Sequence, residues 1–519
     1  MKNLYIVHRT SKIKKLMHLG KLYGIDLIIV IIYMVGMMVI GLRVGRTIKN
    51  DYDYFLGGKN LPWWAIGMSL VVTDISALDF VGVAGAAYIY GIAMANFEWI
   101  GCIPAMIIGA FVFIPFYWRI GVFTIPEFLG RRYNQFVRTM VACIFGIFMA
   151  FLLGIFLYTA AKTMNILIGW PVYVSVLVVA FVVGVYTLFG GLAAVVYTDV
   201  VQCIIMFGGS AIILIVAFLK VGGWSELVKT ISSMGDQYAH HFELIVPVDS
   251  PTPYGWAGIL FGLSFVLGPA YWMGNQAIVQ RCLGARSEYE AKKSVILGAF
   301  LKLFIPIILV GPGLAGIVLF PGLKKADDIY PTLLHDLLPP GLTGLVFAAF
   351  LAALMSSVDS YLNSAATLWT KDIYQALFFP SKSDRHYMIV GKTFIVIFIV
   401  LGVILAPLTA RFPTIYGYFQ TMFSIFQGPL LALILLGLLW KRTTGIGGSV
   451  GLVVGVATST MLFWLGDLVF SAPEPFLYIA WWAFVVAFIT TVVASLLSKP
   501  EPDKFRDFSV VHLREEAPQ

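Results

Sequence analysis

The chain has 519 residues, of which 60% are hydrophobic and 12% are charged, and its formal net charge is +8. Soluble domains carry roughly 25% charged residues, so this composition excludes a soluble enzyme or scaffold and indicates an integral membrane protein. The positive charge needs no nucleic-acid partner, because basic loops orient membrane proteins in the lipid bilayer. We therefore expect a multi-pass protein of the cell (inner) membrane.

Apolar segments recur along most of the chain and set the expected number of membrane crossings. A helix needs ~20 predominantly apolar residues to span the hydrocarbon core. Thirteen such segments lie near residues 24–46, 61–92, 93–118, 136–168, 170–190, 195–219, 254–284, 290–320, 341–374, 387–409, 412–440, 444–466 and 475–498. The pattern predicts an all-α membrane protein with about 13 transmembrane helices.

The basic residues of the loops predict the orientation of the chain. If the N-terminus lies outside the cell, alternation through the thirteen spans places most Lys and Arg residues on the cytoplasmic face, as cytoplasmic loops generally require. The basic N-terminal tail, residues 1–23, is an exception to this rule. The C-terminal tail, residues 499–519, is expected to be cytoplasmic.

Two of the predicted spans contain helix-breaking or polar residues midway along their length. The second span carries Asp74 and Asp79 near its centre, and the seventh carries Gly268 followed by Pro269. Glycine and proline are common in single membrane helices, so one such feature would carry little weight. Unwound backbone is tolerated at membrane depth only where it lines a cavity or is buried in protein, and paired interruptions are typical of transporters with inverted repeats.

The two interruptions divide the chain into regions. They open two successive groups of five helices, predicted to be inverted repeats over residues 61–219 and 254–440. One extra transmembrane helix, residues 24–46, precedes the first repeat. Two C-terminal helices within residues 444–498 follow the second.

One apolar segment, FAAFLAALMSSVDSYLNSAATLW at residues 347–369, contains a cluster of polar side chains. The polar residues are Ser356, Ser357, Asp359, Ser360, Asn363 and Ser364. Serines alone often join membrane helices to one another. An ionisable residue in a span, however, costs on the order of 3 kcal/mol and usually marks an ion or substrate path. Because hydroxyl and carbonyl oxygens do not take up protons at working pH, the cluster favours sodium over a proton.

Three further ionisable residues lie in or beside predicted spans, and each has an ordinary structural alternative. Asp199 is expected near the start of the sixth span, where it could cap the helix. Lys302, the basic residue predicted deepest in a span, could extend its ammonium group to the inner interface. Glu98 lies near the outer end of the third span, where water could solvate it.

Several motifs spread over about residues 50–445 resemble those of one membrane-protein family. They are DYFLGGKNLPWWAIGMSL, TIPEFLGRRYN, GGLAAVVYTDVVQ, YWMGNQAIVQRCLGARSEYEAKK, GAFLKLFIPIILVGPGLAG and AALMSSVDSYLNSAATLWTKDIY. In this order they resemble the sodium:solute symporter family, and most closely its bacterial sodium-coupled sugar symporters. The resemblance implies a leucine-transporter-type fold with two inverted five-helix repeats, broken first and sixth core helices, and alternating access.

The resemblance also implies sodium ligands. The principal sodium site of the family corresponds to backbone carbonyls and serine hydroxyls of Val72, Ile75, Ala353, Ser356 and Ser357. A second sodium site, present in some members, corresponds to Asp199, Asp359 and Ser360. Aspartate replaces a neutral residue at position 359, so the resemblance leaves the sodium stoichiometry open.

For the solute, the resemblance implies a pocket formed by Glu98, Tyr271, Lys302 and Gln420, with Tyr271 as an aromatic lid. Aromatic faces beside sugar C–H groups, with polar groups at the hydroxyls, suit a polyol. Where galactose-type members have Asn, Gln and Asn, this chain has Asp74, Asp79 and Gly268. The TDIS sequence around Asp74 resembles the proline-transporting branch instead.

These observations predict sodium-coupled import of a small polar solute, most simply a sugar or polyol. A sodium-coupled carrier of an amino acid or a carboxylate such as sialic acid is the alternative, and a non-transporting solute sensor is less favoured. No combination of nucleophile, base and orienting group indicates an enzyme. Sodium is the expected coupling ion, and a monomer would suffice for transport.

Overall fold

Helices make up nearly all of the structure. The computed structural model describes residues 18–19, 22–411, 415–502 and 504. A two-stranded antiparallel hairpin, formed by β1 (His18–Leu19) and β2 (Leu22–Tyr23), comes before the first helix. Most of the predicted N-terminal tail, 1–23, and most of the predicted C-terminal tail, 499–519, lie outside the described residues.

The helices follow the apolar segments of the sequence in order. They are α1 (Gly24–Gly45), α2 (Asp51–Leu56), α3 (Trp63–Asp74), α4 (Ala77–Tyr90), α5 (Phe97–Ile120), α6 (Ile125–Arg132), α7 (Gln135–Ile168), α8 (Val172–Val221), α9 (Trp224–Ser232), α10 (Gly258–Gly274), α11 (Gln276–Leu283), α12 (Glu288–Lys302), α13 (Ile305–Leu319), α14 (Ile329–Asp336), α15 (Leu342–Phe378), α16 (Asp384–Thr409), α17 (Ile415–Leu439), α18 (Gly445–Val469) and α19 (Phe476–Leu497).

Within the described part of the chain, 11 helices are long and apolar enough to cross a membrane, and two shorter apolar helices accompany them. The chain is therefore a multi-pass membrane protein. Helix α8 covers nearly all of the predicted span 170–190 and all of 195–219, and the two are joined at a kink where Gly191 has φ +53°. The number of helices that actually cross the bilayer stays a prediction.

The first interruption is present where the polar residues predict it. Helix α3 ends at Asp74, the backbone is extended at Ile75 and Ser76, and α4 begins at Ala77. The Ser76 hydroxyl accepts a hydrogen bond from a backbone N–H of α4, and Asp79 Oδ2 accepts from both the backbone N–H and the hydroxyl of Ser76 at 2.8 Å. This capping box satisfies backbone groups that a broken helix leaves without partners.

The second interruption lies six residues beyond the predicted position. Gly268 is helical, and the chain becomes extended only at Asn275, between α10 and α11. Pro269 lies inside α10 where its π-helical part, Gly258–Leu267, passes into α-helix, so it falls at a change of hydrogen-bond pattern and not within a regular α-helical ladder. A Cβ atom on Gly268 would overlap the Gly101 carbonyl, so this glycine permits close packing of α10 on α5.

Helix α1 is attached to the start of α15 through a buried carboxylate. Asp26 Oδ1 accepts hydrogen bonds from the backbone N–H groups of Gly341 and Gly344, each at 2.7 Å. Its other oxygen accepts from the backbone N–H of Tyr23 at 2.9 Å. Asp26 therefore caps two helix N-termini at once, where a negative charge is also favoured by the helix dipole.

The opposite end of α15 is attached to α2, which follows α1 in the chain. Lys371, in the π-helical end of α15, forms a buried ion pair with Asp51. Rings of Phe55, Phe123 and Tyr387 surround its ammonium group at 4.7 to 5.6 Å from their centroids. Carboxylate and aromatic faces thus replace the water that the ammonium group loses on burial.

Replacing Asp26 with asparagine should destabilise the fold without removing any other contact of α1. The variant D26N keeps one acceptor oxygen but loses the charge that serves three backbone donors, so we expect a stability loss of about 1–3 kcal/mol. The measurement is the apparent Tm of the purified protein in detergent. The matched control D236N alters an exposed aspartate in the loop before α10, and equal Tm values for the two variants would contradict the double-capping role.

Candidate functional site

A cavity of about 70 Å³ lies beside the two helix interruptions. One water molecule needs about 10–15 Å³ of such space, so in this conformation the cavity has room for a few waters. Its walls come from α3, α4, α5, α10 and α17, with lining residues Asp74, Asp79, Phe97, Glu98, Gly101, Cys102, Leu263, Leu267, Gly268, Tyr271, Trp272, Tyr416, Phe419, Gln420, Phe423 and Gln427. A monosaccharide would require these walls to move apart.

Lys302 carries the positive charge of this site. Its side chain is fully buried and forms ion pairs with Asp74 and with Glu98, the latter at 2.5 Å. Extension of Lys302 to the interface and a solvated Glu98 are therefore both wrong, because the two charges neutralise each other inside the protein. Asp74, Glu98 and Cys102 also have the spacing of a metal site, but Lys302 already provides the cation among them.

Aromatic and amide groups complete the cavity. Tyr271 lies 3.4 Å, oxygen to oxygen, from the hydroxyl of Tyr361, to which Asn275 also donates a hydrogen bond at 3.2 Å. Gln420 donates to the Tyr416 hydroxyl at 2.8 Å. Aromatic faces with a few oriented polar groups form a site suited to a small polar solute.

The structure brings the predicted solute residues together but assigns Asp79 an additional task. Asp79 lines the cavity, yet its Oδ2 atom caps α4 through Ser76. Asn275 similarly lies at the second interruption, where its side-chain oxygen accepts from the backbone N–H of Ala277 at 2.9 Å. Asn275 was absent from the predicted site residues, although an asparagine after a glycine in an apolar run is a recognisable cap signal.

A buried cluster of oxygen atoms joins the end of α3 to the middle of α15. The hydroxyl of Ser357 lies 3.0 Å from the backbone oxygen of Thr73 and 3.1 Å from that of Ala353. The Thr73 hydroxyl is 3.3 Å from the hydroxyl of Ser356. Because α3 ends here, its last carbonyl groups lack helical partners and carry the negative end of the helix dipole. Val72 and Ile75, the other two predicted sodium ligands, are fully buried at the same helix end.

A second buried cluster lies directly beside the first. Asp199 Oδ2 accepts from the Ser69 hydroxyl at 2.5 Å and lies 3.4 Å from the hydroxyl of Thr73. Ser360 is 3.2 Å from Thr73, hydroxyl to hydroxyl, and its hydroxyl also contacts Asp359 Oδ1 at 3.2 Å. Asp199 lies far inside α8, so the helix-capping alternative for this residue is wrong.

Arg281, absent from the predicted site residues, enters this second cluster from α11. Its guanidinium is 1% exposed, so this cation is buried in the protein as Lys302 is. Arg281 falls near the end of the predicted seventh span, 254–284, where a single basic residue is ordinary. The interruption at Asn275 turns α11 inward and buries this side chain.

Comparisons with known proteins bear on the family to which the chain belongs. Residues 54–455 match the model of the sodium:solute symporter family. The sodium/glucose cotransporter of Vibrio parahaemolyticus is 34% identical over 496 residues, covering 91% of each chain. Sodium/glucose cotransporter 1 of Oryctolagus cuniculus is 32% identical over 531 residues, covering 92% of this chain and 80% of that protein.

Two solved structures share the fold. A Na⁺-coupled sialic acid symporter in a substrate-bound outward-open state has a TM-score of 0.80 at 24% identity, covering 92% of this chain and 98% of the other. A nucleobase-cation-symport-1 family transporter in a closed conformation has a TM-score of 0.57 at 13% identity, covering 87% and 97%. At these identities the likeness establishes the fold alone, and it agrees with the expected transporter architecture. The family prediction is confirmed by the match over residues 54–455: the chain belongs to the sodium:solute symporter family.

Proposed function

We propose that this protein is a sodium-coupled symporter that imports a sugar or polyol by alternating access. One observation carries the proposal: the last two residues of α3, just before the interruption, belong to two different sites. Thr73 contacts the Ser356–Ser357 cluster, whereas Asp74 lines the solute cavity and pairs with Lys302. An ion that orders this backbone therefore also orders the cavity wall, which is a physical basis for coupling.

The proposed principal sodium site consists of uncharged oxygen atoms. The carbonyls of Val72, Ile75 and Ala353 and the hydroxyls of Ser356 and Ser357 would bind the ion between α3 and α15. Hard monovalent cations favour such ligands, and their burial excludes competing water. Sodium entering from outside would favour the outward-open conformation and prepare the cavity for solute.

The proposed solute site uses the polar groups around the cavity. Glu98, Asp74 and Gln420 would accept or donate hydrogen bonds to hydroxyl groups, and Tyr271 would cover a sugar face. Lys302 would orient the two carboxylates and bind a hydroxyl oxygen. Both sugar-transporting relatives, by their names, carry glucose with sodium, which supports a sugar over other polar solutes.

The ion pairs of Lys302 also bear on the alternative in which the solute carries a carboxylate. A free ammonium group in the cavity would favour an anionic solute such as a sialic acid or an amino acid carboxylate. Because Lys302 is already paired with Asp74 and Glu98, an anion would have to displace a carboxylate of the protein. The pairing therefore supports a neutral polyol.

The membrane potential can drive this import. One elementary charge crossing 100 mV supplies about 2.3 kcal/mol, equivalent to a roughly fifty-fold solute gradient. We propose the cell membrane as the location, with the N-terminus outside and the C-terminus in the cytoplasm. Residues 61–219 and 254–440 would form the two inverted repeats that rock around the site.

The function is tested by uptake into liposomes that contain the purified protein. Labelled glucose, galactose, inositol, proline and sialic acid are each offered with an inward sodium gradient, with equal choline, and with a matched proton gradient. We expect accumulation of a sugar or polyol with sodium alone. Accumulation of proline or sialic acid instead would support the alternative, and uptake driven equally by choline would contradict sodium coupling.

The variant S357A should weaken the response to sodium more than the response to solute. Loss of one ligand of the proposed sodium site is expected to raise the sodium concentration for half-maximal uptake about tenfold. Solute affinity measured at saturating sodium should change little. The matched control S364A removes a buried hydroxyl of the same helix that bonds Gln280 at 3.1 Å, and an equal effect in this control would contradict the assignment.

The variant K302M should abolish most uptake. It leaves Asp74 and Glu98 facing each other without a cation, a situation that costs about 3–5 kcal/mol for a buried pair. We expect uptake to fall at least about tenfold and the double variant K302M/D74N to recover part of it, because one repelling charge is gone. The control K293M changes an exposed lysine of the same helix, and full activity of K302M would refute the role of Lys302.

A further inference from the structure

The hydroxyl of Tyr361 is shared between the solute cavity and the second helix interruption. Asn275 donates to it at 3.2 Å, and the hydroxyl of Tyr271, the predicted lid of the solute pocket, lies 3.4 Å away. Tyr361 is 2% exposed, and its ring packs against Phe156 of α7 with the two ring centroids 5.5 Å apart. A buried and well-packed side chain therefore holds both the lid and the start of α11.

The hydrogen bonds around Tyr361 have a defined direction. The side-chain oxygen of Asn275 accepts from the backbone N–H of Ala277 at 2.9 Å, so the amide NH₂ group is the part that faces Tyr361. Because the Tyr361 oxygen accepts from this amide, its own proton is available to the Tyr271 oxygen. The Tyr271 proton can then face the cavity, which Asp74 also lines.

The Tyr271 side chain is held at its ring and at its hydroxyl. The ring packs against Phe423 of α17 with the two centroids 5.5 Å apart, and both residues line the cavity. A contact between apolar ring surfaces is not directional, whereas a hydrogen bond weakens steeply when its angle changes. Removing the Tyr361 hydroxyl would keep the ring contact and lose the directional one.

Tyr361 lies on the same face of α15 as Ser357. The two residues are four positions apart in an α-helical part of the chain, so they are neighbours on successive turns. Ser357 donates to the backbone oxygen of Thr73 at the end of α3, and Tyr361 accepts from Asn275 before α11. One face of α15 therefore supports both helix interruptions.

We propose that Tyr361 is a positioning residue that holds the Tyr271 lid over the solute cavity and ties the lid to α15. This inference rests on the proposed function, because the cavity is the site proposed for the sugar or polyol. Tyr361 lies outside the set of described residues that line the cavity, and it acts through Tyr271. Without its hydroxyl, the lid opens more often and holds the solute less tightly.

Thiol labelling of Cys102 tests the lid without knowledge of the solute. Cys102 lines the cavity and is partly buried, so a more mobile lid exposes it more often. The purified protein in detergent is treated with N-ethylmaleimide, and the labelled fraction of Cys102 is followed with time by peptide mass spectrometry. The variant Y361F should raise the labelling rate about fivefold, as expected for loss of a neutral hydrogen bond.

Two further variants identify the cause of such an increase. The double variant Y361F/Y271F should label no faster than Y361F, because the hydroxyl of Tyr271 loses its effect once its partner is gone. The matched control is Y330F. Tyr330 is also fully buried, but within the described part of the chain its hydroxyl has no hydrogen-bond partner, and Y330F should label as the wild-type protein does.

Unchanged labelling of Cys102 in Y361F, or an equal increase in Y330F, would overturn the role of Tyr361. A double variant whose rate shows the full separate effects of Y361F and Y271F would overturn it as well, because the two hydroxyls would then act independently. The apparent Tm of each variant verifies that the protein is folded.

Transport separates this role from general damage to the fold. In uptake of labelled glucose at saturating sodium, Y361F should raise the glucose concentration for half-maximal uptake about fivefold. The sodium concentration for half-maximal uptake should change little, and an equal rise in both values would contradict a positioning role at the lid. If the wild-type protein accumulates no solute with sodium, the proposed function fails, while Cys102 labelling still decides whether Tyr361 holds the lid.

Discussion

Backbone groups at membrane depth must find partners within the protein, and this constraint governs the centre of the structure. Two helices end inside the bundle, α3 at Asp74 and α10 at Gly274, where their N–H and C=O groups must find partners within the protein. Side chains therefore complete the exposed ends: Ser76 and Asp79 at one, Asn275 at the other. The carbonyl groups at the end of α3 belong to the sodium site proposed above.

The buried charges follow from the same constraint. Lys302 would be costly in the interior without Asp74 and Glu98, and Arg281 would be costly without Asp199 and the hydroxyls around it. Each pairing links elements far apart in sequence: α12 to α3 and α5 in one case, α11 to α8 and α15 in the other. Charge compensation therefore ties the two halves of the chain together at the level where ion and solute are proposed to bind.

The helices, the family and the first interruption could all be predicted from sequence, because hydropathy and the clustered polar residues at 73–79 are local signals. The second interruption was misplaced because Gly268 and Pro269 look like helix breakers, whereas close packing on Gly101 and a preceding π-helical segment accommodate them. The burial of Arg281 could not be predicted, because it depends on where α11 turns, which is a property of the tertiary structure. Lys302 was predicted to line the solute pocket, but its ion pairs with Asp74 and Glu98 join distant parts of the sequence and became known only from the structure.

The attachments between α1 and α15 have a mechanical consequence. Asp26 joins the beginnings of the two helices, and the Tyr33 hydroxyl lies 3.6 Å from the Met355 sulfur near the middle. Beyond the end of α1, Asp51 of α2 holds the far end of α15 through Lys371. The N-terminal helix therefore braces the helix that carries Ser356 and Ser357, and we expect the two helices to move together when either one tilts.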